Sequence, residues 1–214
     1  CKVCQTKIAY TLDLGAQPLA NGFSIEREKA REKVFDLKVG QCPSCGMVQI
    51  AEQPHADAMF NNEYPFFTSS SEYMVRHFND LAKWLQLENI LKPGEKLVEV
   101  GCNDGSFLTE LKRAGFDVLG VDPSDNVANI AKKRGVPVLV DFFGRETVDK
   151  IRALLGSEVQ VLCGSNVFCH IFDIREFLTS CNMVLSESGF VVFEDPYWGA
   201  ISDLGSFDQI YDEH

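Results

Sequence analysis

Three groups of residues have types and spacings that can do chemistry. The first is four cysteines in two knuckles, Cys1-x-x-Cys4 and Cys42-Pro-Ser-Cys45-Gly46. Four thiolates can close a tetrahedron around zinc at ~2.3 Å, and the glycine after Cys45 gives the backbone room to turn. A closed shell leaves no open position for water, so the metal is expected to be structural. The gap between the knuckles exceeds the ~15–20 residues usual for such pairs. The insert should therefore carry its own hairpin or loop, and residues 13–31 have the irregular composition for it. A redox Cys-x-x-Cys pair is the competing reading, but two knuckles in one short stretch favour zinc. The other cysteines, Cys102, Cys163, Cys169 and Cys181, are scattered, and 8 in 214 residues is too sparse for a disulfide scaffold. Reduced thiolates fit the cytoplasm.

The second group is the run Glu99-Val-Gly101-Cys-Asn103-Asp104-Gly105. Glycines permit positive φ and close backbone approach to a ligand. A dinucleotide site would read Gly-x-Gly-x-x-Gly and seat a pyrophosphate at a helix N-terminus. Here Asn103 replaces the middle glycine and an acid precedes the loop, which weakens the nicotinamide oxidoreductase reading. Glu99 and Asp104 suit a cationic ligand, while backbone N–H groups can hold its carboxylate. Asp122, followed by Pro123, falls where a carboxylate can accept both hydroxyls of a ribose. Asp141 and Phe142 offer an acceptor for an adenine amino group and a wall for its ring, and Asn166 completes the rim. Together these point to S-adenosylmethionine.

The third group lies in Asn166-Val-Phe-Cys-His170-Ile and Tyr211-Asp-Glu213-His214. Histidine titrates near neutral pH and suits general-base work. Glu213 can orient His214 or a neighbouring group, and Tyr211 can donate to a developing oxyanion. Read alone, such a histidine beside an aromatic is more often a satisfied loop residue. His55 sits at no ligand spacing and reads as a surface or loop residue.

The elements that must position these groups follow from pattern. Residues 1–60 read as the zinc module, 61–91 as a helical connector, 92–200 as the cofactor-binding domain and 201–214 as the start of a C-terminal substrate domain. In the connector Ser71 can cap a helix along which Tyr73, His77, Leu81, Trp84 and Leu85 recur. Beyond Pro93-Gly94, apolar strands at 96–100, 117–121, 136–140, 159–163 and 190–194 alternate with helices at 106–114, 124–134, 145–155 and 173–185. That alternation predicts an α/β fold whose parallel sheet is covered by helices on both faces. Only a short stretch follows the fifth strand, so more sheet is expected beyond His214. With no initiator methionine and no signal peptide, the chain is expected to be trimmed at Cys1.

Composition narrows the partners. The 214 residues are 45% hydrophobic and 24% charged, enough for a packed core, with a formal charge of −11. An acidic chain without a basic run argues against nucleic acid or an anionic membrane. No apolar run nears the ~18 residues of a membrane helix. A small-molecule substrate, a cytoplasmic location and a monomer or weak homodimer are expected.

The motifs taken together resemble the sugar C-methyltransferases of deoxysugar biosynthesis. Carrying the resemblance are both knuckles, Leu14-Gly-Ala-Gln-Pro-Leu-Ala-Asn21, Glu99-Val-Gly-Cys-Asn-Asp-Gly105, Gly120-Val-Asp-Pro-Ser124, Asn166-Val-Phe-Cys-His170-Ile and Tyr211-Asp-Glu-His214. It implies an N-terminal zinc-binding module, a class I methyltransferase (Rossmann-like) domain and a C-terminal domain absent from this sequence. It also implies a nucleotide-linked 4-keto-deoxysugar as substrate and His214 as the base that generates an enolate. Tyr211 and His170 are then candidates to hold the enolate oxygen or a neighbouring hydroxyl, Glu213 to position the sugar or the base, and Tyr64 to line the cleft. The chain departs from the family at Asp212, where the family has histidine, and at Cys102, often serine. An O- or N-methyltransferase and a non-catalytic zinc and cofactor module are the alternatives.

Overall fold

The computed structural model describes residues 1–20, 34–156 and 158–210. The chain divides into two compact units. One comprises residues 1–59, 168–175 and 195–214, the other residues 60–167 and 176–194.

In the first unit, β1 (Ala9–Pro18), β2 (Val34–Gln41) and β3 (Val48–Ile50) form an antiparallel sheet in that order. The insert between the knuckles thus supplies a hairpin, paired from Ala9 opposite Gln41 to Pro18 opposite Val34. Its irregular composition over 13–18 is not a loop but a bulged strand. The register slips between Asp13 and Ala16, where Gly15 takes φ +75° and donates its N–H to Asp13 Oδ1 at 2.9 Å. An extra residue in one strand needs such a left-handed position, and glycine adopts it without a Cβ penalty. A one-turn helix, α1 (Ala56–Met59), follows. Leu37, Val39, Ile50 and Ile210 make a small core, against which Trp198 and Ile201 of the helix Trp198–Leu204 pack. Part of the stretch expected to begin a separate substrate domain therefore completes this unit's core.

The second unit opens with a short 3₁₀ turn at Thr68–Ser70 and α2 (Glu72–Leu87). Ser71 caps α2 as its sequence suggests, its hydroxyl accepting the Met74 N–H at 3.3 Å. The buried stripe is Phe78, Ala82 and Leu85; of the expected recurrence Leu85 is buried and Leu81 packs partly against the core, while Tyr73 and Trp84 are exposed. Phe78 lies 5.8 Å from the Phe107 ring, which places the expected connector helix inside the core of the sheet unit.

Five strands then alternate with helices: β4 (Lys96–Val100), α3 (Ser106–Arg113), β5 (Asp117–Val121), α4 (Asp125–Lys133), β6 (Val138–Leu139), α5 (Arg145–Leu155), β7 (Val159–Ser165), α6 (Ile174–Val184) and β8 (Leu185–Glu194); α7 is the helix Trp198–Leu204. All neighbours in the sheet pair in parallel, in the order β6-β5-β4-β7-β8. Leu97, Val98, Leu119, Val161 and Leu162 are almost wholly buried, the continuous apolar run of a parallel strand covered on both faces. The third strand is shorter than expected. Pro137, which cannot donate to a ladder, precedes it, although its carbonyl still accepts the Gly120 N–H at 2.9 Å. The fifth is longer, pairing irregularly from Leu185 before its regular run at Phe190–Glu194. Strand order reverses between β4 and β7, so the carboxyl ends of β5, β4 and β7 flank the crevice where open α/β sheets bind ligands.

Candidate functional site

The knuckles bring all four cysteine sulfurs within 4.8 Å of one another. Cys1 Sγ lies 3.6 Å from Cys45 Sγ, and Cys4 Sγ lies 3.4 Å from Cys42 Sγ. These separations are far beyond a disulfide bond of ~2.05 Å. They are close to the ~3.8 Å edge of a tetrahedron with Zn–S bonds of ~2.3 Å. Both knuckles turn alike. Gln5 N–H donates to the Cys1 carbonyl at 2.9 Å and Gly46 N–H to the Cys42 carbonyl at 3.0 Å, with φ of +62° and +77°. The sequence flags Gly46; Gln5 carries no glycine signal for the same conformation. The Thr6 side chain and backbone, then the Cys42 thiol, draw the Cys4 thiol down to about 6, toward the thiolate a metal requires. The donor set fits structural zinc.

At the end of β4 the chain turns through Gly101 (φ +68°), Asn103 (φ +50°) and Gly105 (φ +73°). A Cβ on Gly101 would lie 2.5 Å from Val167 Cγ2, and one on Gly105 2.8 Å from Ala131 Cβ, so the turn is closely packed as well as left-handed. Asn103 binds it to the preceding segment. Its Oδ1 accepts the Thr68 N–H at 3.0 Å and the Asp104 N–H at 2.9 Å, and its Nδ2 donates to the Phe66 carbonyl at 3.0 Å. That explains why asparagine, tolerant of left-handed backbone, replaces the middle glycine.

The four acids expected to face a ligand divide into distinct environments. Asp104 is fully buried and turned inward. It accepts from Ser69 N at 2.9 Å and Ser106 Oγ at 2.6 Å, and Arg134 pairs with it at 3.1 Å. Burial pushes its carboxyl up, but Ser106, Ser69 and Arg134 outweigh this and hold it below the ordinary 3.8. Asp104 thus anchors the turn internally, at the position where the sequence reading has an acid that suits a cationic ligand. Asp122, at the end of β5, accepts the Asn103 N–H at 2.8 Å and the Ser124 N–H at 2.9 Å, one on each oxygen. A carboxylate has about four lone-pair sites, so it retains capacity for a diol. Burial nevertheless raises its carboxyl above the ordinary value, against the pull of those two amides.

Glu99 is buried, and its Oε2 has no hydrogen-bond partner among the described residues. Burial, then the charges of Asp122 and Asp104, push its carboxyl well above the ordinary 4.5. Asp141 is half-buried. Its Oδ2 pairs with Lys150 at 2.7 Å and its Oδ1 accepts the Phe142 N–H at 2.9 Å, while the Phe142 ring is exposed. Pro123 continues the turn after Asp122 and is partly buried.

Asn166 follows β7 with φ +54°, its N–H donating to the Glu194 carbonyl at 2.6 Å. The Tyr64 ring sits 5.7 Å from Phe60 and 5.8 Å from Phe66, and its carbonyl accepts Asn126 Nδ2 at 2.7 Å. His170 ends a 3₁₀ turn at Phe168–His170 that belongs to the cysteine-bearing unit, where its carbonyl accepts Gln53 Nε2 at 2.5 Å. Tyr211, Glu213 and His214, with Asp212, lie outside the described residues. Exposed His55 faces Asp57 at 3.2 Å, as a surface histidine would. Sequence reasoning missed Arg134, which ties Asp104 to Ser69 Oγ at 2.8 Å, and the pair His77–Glu194, whose residues stand far apart in no motif.

A five-stranded parallel sheet with a reversal beside β4, a glycine turn after β4 and an acid after β5 is the class I methyltransferase fold. S-adenosylmethionine, the cofactor of that class, brings an ammonium and a sulfonium. A buried carboxyl with one unpartnered oxygen beside the glycine turn fits such a cation. A family model described as "Methyltransferase domain" matches residues 68–211, and the chain belongs to this family. A second, described as "Putative zinc binding domain", matches residues 1–60. The C-methyltransferase NovU of Streptomyces niveus is 31% identical over 217 residues, which take in 100% of this chain and 51% of NovU. A ubiquinone biosynthesis O-methyltransferase of Sinorhizobium medicae (strain WSM419) is 31% identical over 98 residues, 45% of this chain and 39% of that protein. The plantazolicin methyltransferase BpumL, solved with a pentazolic desmethylPZN analog and SAH, superposes with a TM-score of 0.50 at 15% identity, over 68% of this chain and 56% of BpumL. That likeness is one of fold. This chain spans about half the length of NovU.

Proposed function

We propose that the protein is an S-adenosylmethionine-dependent C-methyltransferase acting on a nucleotide-linked 4-keto-deoxysugar. Methyl transfer to carbon is supported by the alignment of the whole chain, knuckles and glycine turn included, with a C-methyltransferase, and the sugar rests on the resemblance of the motifs to the sugar C-methyltransferases. The O-methyltransferase likeness covers 45% of the chain.

When bound, the cofactor supplies an electrophilic methyl group. The chain's task is to hold that cofactor and to make a carbon nucleophile. Asp122 takes the ribose hydroxyls on its remaining lone pairs, Glu99 answers the cofactor's positive charge, and the left-handed glycines of the 101–105 turn let the backbone approach closely. Phe142 and Asp141 flank the adenine, with Asn166 on the rim. A ketone acidifies its α carbon, so a base of near-neutral pKa can remove the proton. His214 takes it, and the electron pair stays on the substrate as an enolate. Tyr211 and His170 hold the enolate oxygen, Glu213 orients the base or the sugar, and Tyr64 lines the cleft. Holding such a carbanion in near-attack geometry is worth roughly 7–11 kcal/mol at most.

The test is to incubate full-length protein with methyl-labelled cofactor and a panel of nucleotide-linked keto-sugars in deuterated water. Label on carbon together with exchange of the α proton supports the reading. Label on oxygen or nitrogen without exchange supports an O- or N-methyltransferase. Cofactor binding without transfer to any acceptor supports a non-catalytic module.

A further inference from the structure

β8 ends at Glu194, which pairs in register with Ser165 and accepts the Asn166 N–H. Glu194 therefore stands on the carboxyl-end rim, one strand beyond Asn166. His77 Nε2 lies 2.8 Å from Glu194 Oε2 and 3.1 Å from Oε1. The side chains are 34% and 44% exposed, so the pair faces solvent rather than filling the core.

Both partners are held firmly. Glu194 is fixed by the strand pairing. His77 is fixed by α2, whose entry is tied to the glycine turn through Thr68 N on Asn103 and Ser69 N on Asp104. The next residue, Phe78, is buried against Phe107. An exposed contact of this kind adds little to stability, yet it holds an imidazole in a fixed orientation on the ligand-binding edge of the sheet. In the neutral imidazole, a carboxylate that receives Nε2–H fixes the tautomer and leaves Nδ1 as a lone-pair acceptor. Such an acceptor takes a hydroxyl proton, not a ketone oxygen or a phosphate.

We propose that His77, oriented by Glu194, is a specificity-determining contact that accepts a hydrogen bond from a ring hydroxyl of the acceptor substrate. The proposal rests on the keto-sugar reading above. It assigns His77 to substrate and Glu194 to positioning.

The experiment uses full-length protein, with His77→Ala, Glu194→Gln and Glu194→Asp compared with wild type. Cofactor affinity comes from calorimetry and the acceptor parameters from steady-state rates, with a thymidine-diphosphate-linked 4-keto-6-deoxyhexose as probe. His77→Ala and Glu194→Gln are expected to raise the acceptor KM roughly tenfold, the worth of one hydrogen bond. Their kcat, cofactor affinity and melting temperature should stay near wild type, and Glu194→Asp should recover part of the loss. Removing the bonded hydroxyl from the probe should raise KM for wild type and leave His77→Ala unchanged. In ¹⁵N spectra the His77 tautomer signal should shift on adding acceptor, not on adding cofactor. Unchanged KM in the variants, or cofactor affinity and melting temperature falling together with KM, overturns the proposal. Wild-type protein inert toward every keto-sugar overturns the functional reading itself and this proposal with it.

Discussion

The Thr68 amide donates to Asn103 Oδ1 at 3.0 Å, so the turn that starts α2 and the turn that ends β4 share one side chain. The same Oδ1 accepts the Asp104 N–H, Nδ2 donates to the Phe66 carbonyl, and the Asn103 N–H reaches Asp122. One residue with left-handed backbone thereby fastens the segment before α2 to the glycine turn after β4.

Two substitutions separate these contributions. Asn103→Gly keeps the left-handed conformation and loses the side-chain bonds, at a cost of about 1–3 kcal/mol. Asn103→Ala adds roughly a further 1 kcal/mol of backbone strain. Urea unfolding should therefore rank wild type above glycine and glycine above alanine. Equal midpoints for the two variants would remove the backbone term.

Much of this fold is legible in the sequence, because parallel strands with buried faces read as unbroken apolar runs and helices as stripes around them. The Ser71 cap and the cysteine knuckles are equally plain, since each depends on residues a few positions apart. What escapes is set at long range. The α2 stripe centres on Phe78 rather than Trp84 because Phe107, nearly thirty residues on, lies against it. Asp104 reads as a free acid until Ser69 and Arg134 are seen to consume it, and Gln5 turns left-handed with no local signal at all.

Glu99 makes stability depend on pH. Its folded carboxyl sits above the ordinary 4.5, so above that pH the folded state retains a proton that the unfolded chain has shed. Stability then falls as pH rises from about 4.5 through the folded value. Glu99→Gln cannot ionise, and its advantage over wild type should grow across that window and then level off. Each unit of elevation corresponds to about 1.4 kcal/mol. Thermal unfolding of apo protein between pH 4 and 8 measures the difference. A constant gap between the two proteins would show that burial of this carboxyl carries no such cost.

The cysteine-bearing unit should depend on a bound metal. Among the described residues the buried core of this unit is Leu37, Val39, Ile50 and Ile210, with partly buried neighbours such as Trp198 and Ile201, and cores this small usually need a staple. Metal analysis should find one zinc per chain. Cys42→Ser should lose it, since structural zinc contributes an apparent ~10–16 kcal/mol to such folds. Chelation should expose Cys1, Cys4, Cys42 and Cys45 to a thiol reagent while Cys102, Cys163 and Cys181, all buried, stay protected. Four fast-reacting thiols without a chelator would argue against a bound metal.

Binding and chemistry should separate at Asp122 and His214. Asp122→Ala strips acceptors from the Asn103 and Ser124 amides and, on the proposed reading, from the ribose. It should weaken cofactor binding about tenfold or more, each lost bond counting for about 1 kcal/mol, with turnover at saturating cofactor reduced less. His214→Ala should do the reverse. Removing a general base typically costs about 10²–10⁴ in rate, and calorimetry should find cofactor affinity within a factor of about two of wild type, the change expected when no direct contact is lost. Exchange of the substrate's α proton in deuterated water should vanish in the same variant. Should exchange persist in His214→Ala while methyl transfer stops, the proton is taken by another group, and His214 acts after the enolate has formed.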